Sequence, residues 1–157
     1  MPNILLTRID NRLIHGQVGV TWSNHLGANL ILVANDKVAK DEVQQNLMDM
    51  VVPDVVATRY FTLEKTINVI HKASEAQKMF LVCKTPQDVL TLVKGGVPIK
   101  KVNIGNMHYQ EGKEQIASTV SVDESDKETF KELNRLGVEL DLRRVPDEKG
   151  VDIMTLI

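Results

Sequence analysis

Short, β-branched apolar runs alternate along this chain with longer stretches in which apolar residues recur every three to four positions. That rhythm predicts βα units around a mainly parallel sheet. Strands are expected at residues 4–7, 30–33, 55–61, 78–83, 101–104, 120–122 and 138–142. Between the first two lies a helix over 17–26, with Val18, Trp22 and Leu26 on one face and Gly27 as its stop. Asn35 and Asp36 open a second helical segment toward Met50, which Pro53 closes, and Thr62 caps a third running through Ile67, Ile70 and Ala73. Thr85, Pro86 and Asp88 mark a fourth helix start ahead of Val89 and Leu92, and Asp123 caps a fifth that stops at Gly137. The last residues, 146–157, read as a short helical turn with Val151, Met154 and Leu156 packing back on the body. With no repeat, linker or composition shift, the expected fold is one α/β domain over residues 1–157. Its open, twisted, mainly parallel sheet has about seven strands, with helices on both faces.

A length of 157 residues suffices to bury a sizeable core, and 43% hydrophobic with 25% charged residues is an ordinary globular balance. The formal net charge of −2 argues against nucleic acid as a partner. Cys83 is the single cysteine, so neither a disulfide framework nor a multi-cysteine zinc site can form within the chain. The N-terminus lacks the basic and long apolar regions of a signal peptide, and no apolar stretch reaches the length of a membrane span. A cytoplasmic location without direct membrane insertion is expected. Service to a membrane protein would be as a docked partner.

In open α/β sheets the ligand crevice lies beyond the carboxyl ends of the strands. There the first strand delivers the polar segment from Arg8 through Asp10, Arg12, His15, Gly16 and Gln17 to the start of a helix, with Arg12 three and Arg8 seven residues upstream of the histidine. Such a helix start presents unpaired N–H groups at the positive end of the helix dipole. The same edge gathers Thr85 after the fourth strand, and Gly105 and Asn106 after the fifth. Arginines, amides, a capping hydroxyl and a glycine that admits close backbone approach suit phosphate, although a carboxylate or sulfate would use the same groups.

His15 can attack phosphorus only as neutral imidazole; Arg8, Arg12 and the helix start disfavour the imidazolium and stabilise a phosphoryl group once it arrives. Its bland alternative is a helix-start histidine bonding a carbonyl. Asp10 could accept from the imidazole nitrogen that does not attack, or could simply cap its loop. Arg12 is suited to grip two phosphate oxygens, whereas Arg8, nearer the strand, can equally form an ion pair with Asp10 or with a partner's carboxylate. His108 is a rival nucleophile without adjacent arginines. His25 and His71 read as helix residues and Cys83 as a buried small residue. Asp10, His15 and His108 lack the local spacing of a metal motif, and neither a metal nor a cofactor is expected.

The segment RIDNRLIHGQV matches the signature R-I-D-x-R-L-x-H-G-Q-V, and with it the whole chain resembles the IIB component of the mannose/sorbose class of sugar phosphotransferase systems (PTS). VCKTP, VKGG and GNMHY point to its N-acetylgalactosamine and galactosamine branch. The resemblance implies that His15 carries a phosphoryl group, received from a phosphorylated IIA protein and passed to a sugar held by a membrane IIC/IID permease. The residues around the histidine would then also face those partners, holding the chain at the inner face of the membrane. Asn11 stands where several relatives carry an acidic residue, which bears on tuning and partner choice. Two rival functions use the same loops: a noncatalytic anion- or nucleotide-binding module, and a small hydrolase in which water attacks a phosphohistidine.

Overall fold

The first strand, β1 (Asn3–Asp10), is buried from Leu6 onward although Thr7, Arg8 and Asp10 there are polar, and it occupies the middle of the sheet. The computed structural model describes residues 1–157. Its main sheet has seven strands in the order β3-β2-β4-β1-β5-β8-β9, with β2 at Leu30–Ala34, β3 at Ala57–Phe61, β4 at Lys78–Cys83, β5 at Lys101–Asn106, β8 at Glu139–Leu142 and β9 at Val151–Asp152. All neighbours are parallel except β8 and β9. β4 and β5 flank β1, so in passing from one to the other the chain changes sides of β1. The crevice that such a reversal opens lies at the carboxyl end of β1.

Helices cover both faces. A π-helical turn, Gln17–Trp22, continues into the single turn α1 (Ser23–Leu26) and, with α2 (Glu42–Asp49), closes the smaller core around Phe80, Val82 and Trp22. On the other face α3 (Leu63–Val69), α4 (Pro86–Lys94) and α5 (Glu124–Arg135) pack over the larger core, which holds Ile9, Leu81, Ile104 and Phe130. Fully burying each such side chain contributes about 1.5–3 kcal/mol. Thr62, Thr85 and Asp123 each accept the backbone N–H three residues on, which fixes where these helices begin.

The structure corrects three expectations. The segment 120–122 is a strand, but it pairs antiparallel with β6 (Glu114–Ala117) as β7 (Val120–Val122) in a separate hairpin, because β8 occupies the free edge of β5. The seventh place in the main sheet belongs to β9. The helix expected from Asn35 to Met50 is broken in two. Asn35 Oδ1 caps a three-residue 3-10 turn at the Val38 N–H, 2.9 Å away, and an extended Asp41 then starts α2 afresh by capping Gln44. Short polar side chains that bond nearby amides favour such restarts over helix interiors. At the C-terminus Ile153 is the residue that packs inward, with Met154 partly buried. Val151 and Leu156 stay largely exposed, because β9 is a two-residue edge strand and Asp152 turns the chain at Met154.

Candidate active site

The carboxyl end of β1 passes into a tight turn in which the Leu13 N–H donates to the Asp10 carbonyl at 2.9 Å. Asp10 Oδ1 accepts the Arg12 N–H at 3.0 Å, an Asx-type closure that uses the carboxylate as part of the turn. Leu13 takes φ = 61°, the one non-glycine residue with positive φ, and its side chain is driven into the smaller core at 3% exposure. This conformation costs an L-residue roughly 1–2 kcal/mol, which burial of the leucine offsets. The turn sets His15 two residues later, at the start of the π-helical segment. No side chain caps that helix end, so its first N–H groups remain available to an anion.

The His15 ring is 18% exposed and its Nε2 lies 2.7 Å from Asp10 Oδ2. Asp10 itself is fully buried and receives five donors: His15 Nε2, Arg8 Nη2 at 3.0 Å and Arg8 Nε at 3.3 Å on one oxygen, the Arg12 amide and Arg12 Nε on the other. Burial alone would push its carboxyl upward, but the bond from His15, the charge of Arg8 and the Arg12 amide together hold it below the usual carboxylate range. Asp10 is thus an anion at neutral pH. An anion can only accept, so Nε2 carries a proton, and in the neutral ring the lone pair then lies on Nδ1. Both roles weighed for Asp10, loop closure and imidazole partner, are present at once, one on each oxygen.

The two arginines part company. Arg12 is half exposed beside the histidine, 46% at its side chain. Arg8 has no exposed surface; besides Asp10 it donates to Asn103 Oδ1 at 2.7 Å and to the Arg144 carbonyl at 3.1 Å, and its guanidinium lies 5.4 Å from the centre of the Trp22 ring. It therefore supports Asp10 from beneath and presents nothing to a phosphate. Burial lowers its pKa, with Asp10 opposing the shift.

Gly105, on β5, faces the Arg8 guanidinium, and a Cβ there would overlap it. Asn106 ties the loop down, its carbonyl accepting the Asn11 N–H at 3.0 Å and its side-chain amide bonding the Asn11 side chain. Gly16 is exposed and Gln17 half-buried at the helix start. Thr85 caps α4 and lines a cleft of about 130 Å³ with Asn11, Lys84 and His108, to one side of the histidine. His108 is exposed and bonded to Gln110. Cys83 is fully buried, and burial pushes its thiol up, far from reactivity. Lys84, in the loop that sequence reasoning placed at this edge, lines a second cleft with Arg12 and Lys37; Lys37 and Asn103 were not singled out. An asparagine set between the apolar Val102 and Ile104 of β5 was the available signal for the last.

The model of the PTS sorbose-subfamily IIB component matches residues 4–157. The chain belongs to that family. Members are phosphotransferases that act as phosphocarriers in sugar uptake, and this IIB component is one of them. It is 59% identical over its whole length to the N-acetylgalactosamine-specific phosphotransferase enzyme IIB component 2 of Escherichia coli, and covers all of that protein. To the sorbose-specific EIIB component of Lacticaseibacillus casei it is 39% identical, covering 98% of this chain and 94% of that one. The mannose-specific EIIAB component of Escherichia coli is 41% identical over 97% of this chain, which spans 47% of that longer protein. Among solved structures, an N-acetylgalactosamine IIB component from Streptococcus pyogenes superposes with a TM-score of 0.95 at 43% identity, covering 100% of this chain and 99% of that one.

Proposed function

We propose that this IIB component accepts a phosphoryl group on Nδ1 of His15 from the phosphohistidine of a IIA protein, and passes it to a sugar bound by a membrane IIC/IID permease. The observation that carries this reading is the 2.7 Å contact between His15 Nε2 and the buried Asp10 carboxylate, which reserves Nδ1 for phosphorus. The Nδ1 lone pair forms the new P–N bond as the donor's P–N bond breaks and the donor imidazole leaves. In the second step a sugar hydroxyl attacks, the bond to Nδ1 breaks, and the hydroxyl proton is released. Throughout, Asp10 keeps the Nε2 proton in place. Transfer of this kind depends on positioning and charge stabilisation, here by Arg12 and the uncapped amides from Gly16 onward.

The relatives' names support N-acetylgalactosamine as the sugar. The half-length match to a protein named as a joined A and B component supports a IIA partner. No helix is long and apolar enough to cross a membrane, so on this reading the chain reaches the inner face of the membrane by docking on the permease.

Vesicles carrying an N-acetylgalactosamine IIC/IID permease or, in parallel, a mannose or a sorbose one, each given its own sugar with phosphoenolpyruvate, the general phosphotransferase proteins and IIA, test the relay and its pairing. Phosphorylated N-acetylgalactosamine is expected only when this chain is added, with mannose and sorbose left unmodified. Equal phosphorylation of all the sugars would overturn the specificity, and product formation by His15→Ala would overturn the route.

A further inference from the structure

Behind Asp10 the polar contacts continue inward rather than ending. Asn103, 1% exposed on β5, accepts from Arg8 Nη1 at 2.7 Å. Its amide donates to the carbonyls of Asp141, at 3.3 Å, and Arg143, at 3.0 Å, at the end of β8 and just beyond it. Every polar atom of this side chain is used, and each bond fixes its orientation, since only the oxygen can face a guanidinium and only the NH₂ can face two carbonyls. The Arg144 carbonyl accepts twice more, from Arg8 Nη1 and from Trp22 Nε1 at 3.0 Å. Trp22 and Gly105 hem in the guanidinium, the indole within cation–π distance and the glycine by leaving room for it. The site is thus held by two strands on the far side of β1.

We propose that Asn103 is a positioning residue for phosphoryl transfer: by orienting Arg8 it holds the Asp10 carboxylate on His15 Nε2, and so keeps Nδ1 free to receive phosphorus. The proposal rests on the reading of His15 as the carrier. Arg8 reaches Asp10 through Nε and Nη2 while Asn103 and the Arg144 carbonyl hold Nη1, so the far side of the guanidinium is the handle that sets the near side. Without that handle the guanidinium can turn, Asp10 Oδ2 loses its alignment, and the imidazole is free to place its proton on Nδ1, the nitrogen that must attack. Partners that hold a histidine's second nitrogen commonly change activity by about 10–100-fold when lost, and Asn103 acts through such a partner, Asp10.

The test is the long-range ¹H–¹⁵N spectrum of the histidine rings in Asn103→Leu, alongside the rate at which phospho-IIA phosphorylates the same protein. Wild-type chain is expected to show His15 as the Nε2–H tautomer. Asn103→Leu should shift those ring nitrogens toward a mixture and slow phosphorylation by about 10–100-fold, while the phosphoryl group still ends on His15. Should Asn103→Leu fail to fold, Asn103→Ser, whose hydroxyl sits one bond short of Arg8, gives the same comparison. Gly105→Ala, which displaces the guanidinium from its other side, should move the same two resonances. Folded variants with wild-type ring nitrogens and wild-type rates would overturn the role of Asn103 and leave His15 as carrier. Failure of the wild-type chain to gain a phosphoryl group from a competent phospho-IIA would instead overturn the reading beneath it.

Discussion

Arg8 and Arg12 stand four positions apart on the same active segment, yet burial gives them opposite tasks. Arg8, without exposed surface, is one half of an internal ion pair, and removing one partner of such a pair typically costs about 3–5 kcal/mol because the other is left uncompensated. Arg8→Met is accordingly expected to lose that much stability in urea unfolding, with activity falling as a consequence. Arg12, with its side chain 46% exposed, contributes less than about 1 kcal/mol through its pair with Asp10. Arg12→Ala should therefore melt close to the wild type yet accept a phosphoryl group much more slowly. Equal losses of folding and activity in Arg12→Ala would remove it from the site. The motif made both arginines visible; which one is buried depends on Asn103, Trp22 and the Arg144 carbonyl, and spacing along the chain carries no trace of those contacts.

At the scale of elements the site is a turn and a helix start. The turn binds Leu13 into φ = 61° and pays for it with a buried side chain. Leu13→Gly would relieve roughly 1–2 kcal/mol of backbone strain. It would also give up the roughly 2–5 kcal/mol that loss of a buried leucine costs. A net destabilisation is expected in thermal unfolding, and a more stable Leu13→Gly would show that the side chain does not anchor the turn. The helix starts at Thr62, Thr85 and Asp123 were legible because capping is chemistry between residues three apart. The π-helical turn over Gln17–Trp22 was not, since apolar spacing alone reads as an ordinary helix. Nor was the break at Asp41, where a local cap outcompeted the longer period.

For the whole molecule, the alternation of strands and helices was enough to predict a parallel sheet with the loop after β1 at its carboxyl edge. Which strand filled the last place was not legible, because the choice between 120–122 and β9 turns on competition for the β5 and β8 edges. That topology makes stability depend on acid. Asp10 and Asp126 both ionise below their ordinary range in the folded chain. Burial opposes this for both and is outweighed, for Asp10 by His15, Arg8 and the Arg12 amide, and for Asp126 by Gln87, the Asp123 amide and Lys113. Their stabilisation is fully present above the unfolded carboxyl value of about 4 and is lost as pH falls through the lowered folded values. Asp88, whose carboxyl burial raises, works in the opposite direction above that point, so the test is the range below it: urea midpoints should fall there, and midpoints that keep rising would contradict the assignment.

The decisive measurement is an intact-mass spectrum of the chain after incubation with phosphoenolpyruvate, the general phosphotransferase proteins and IIA, with His15→Ala in parallel. One acid-labile phosphoryl group is expected on the wild-type chain, dependent on IIA and missing from His15→Ala. A phosphorylated His15→Ala, or an unmodified wild-type chain beside a demonstrably phosphorylated and correctly paired IIA, would contradict the carrier role of His15.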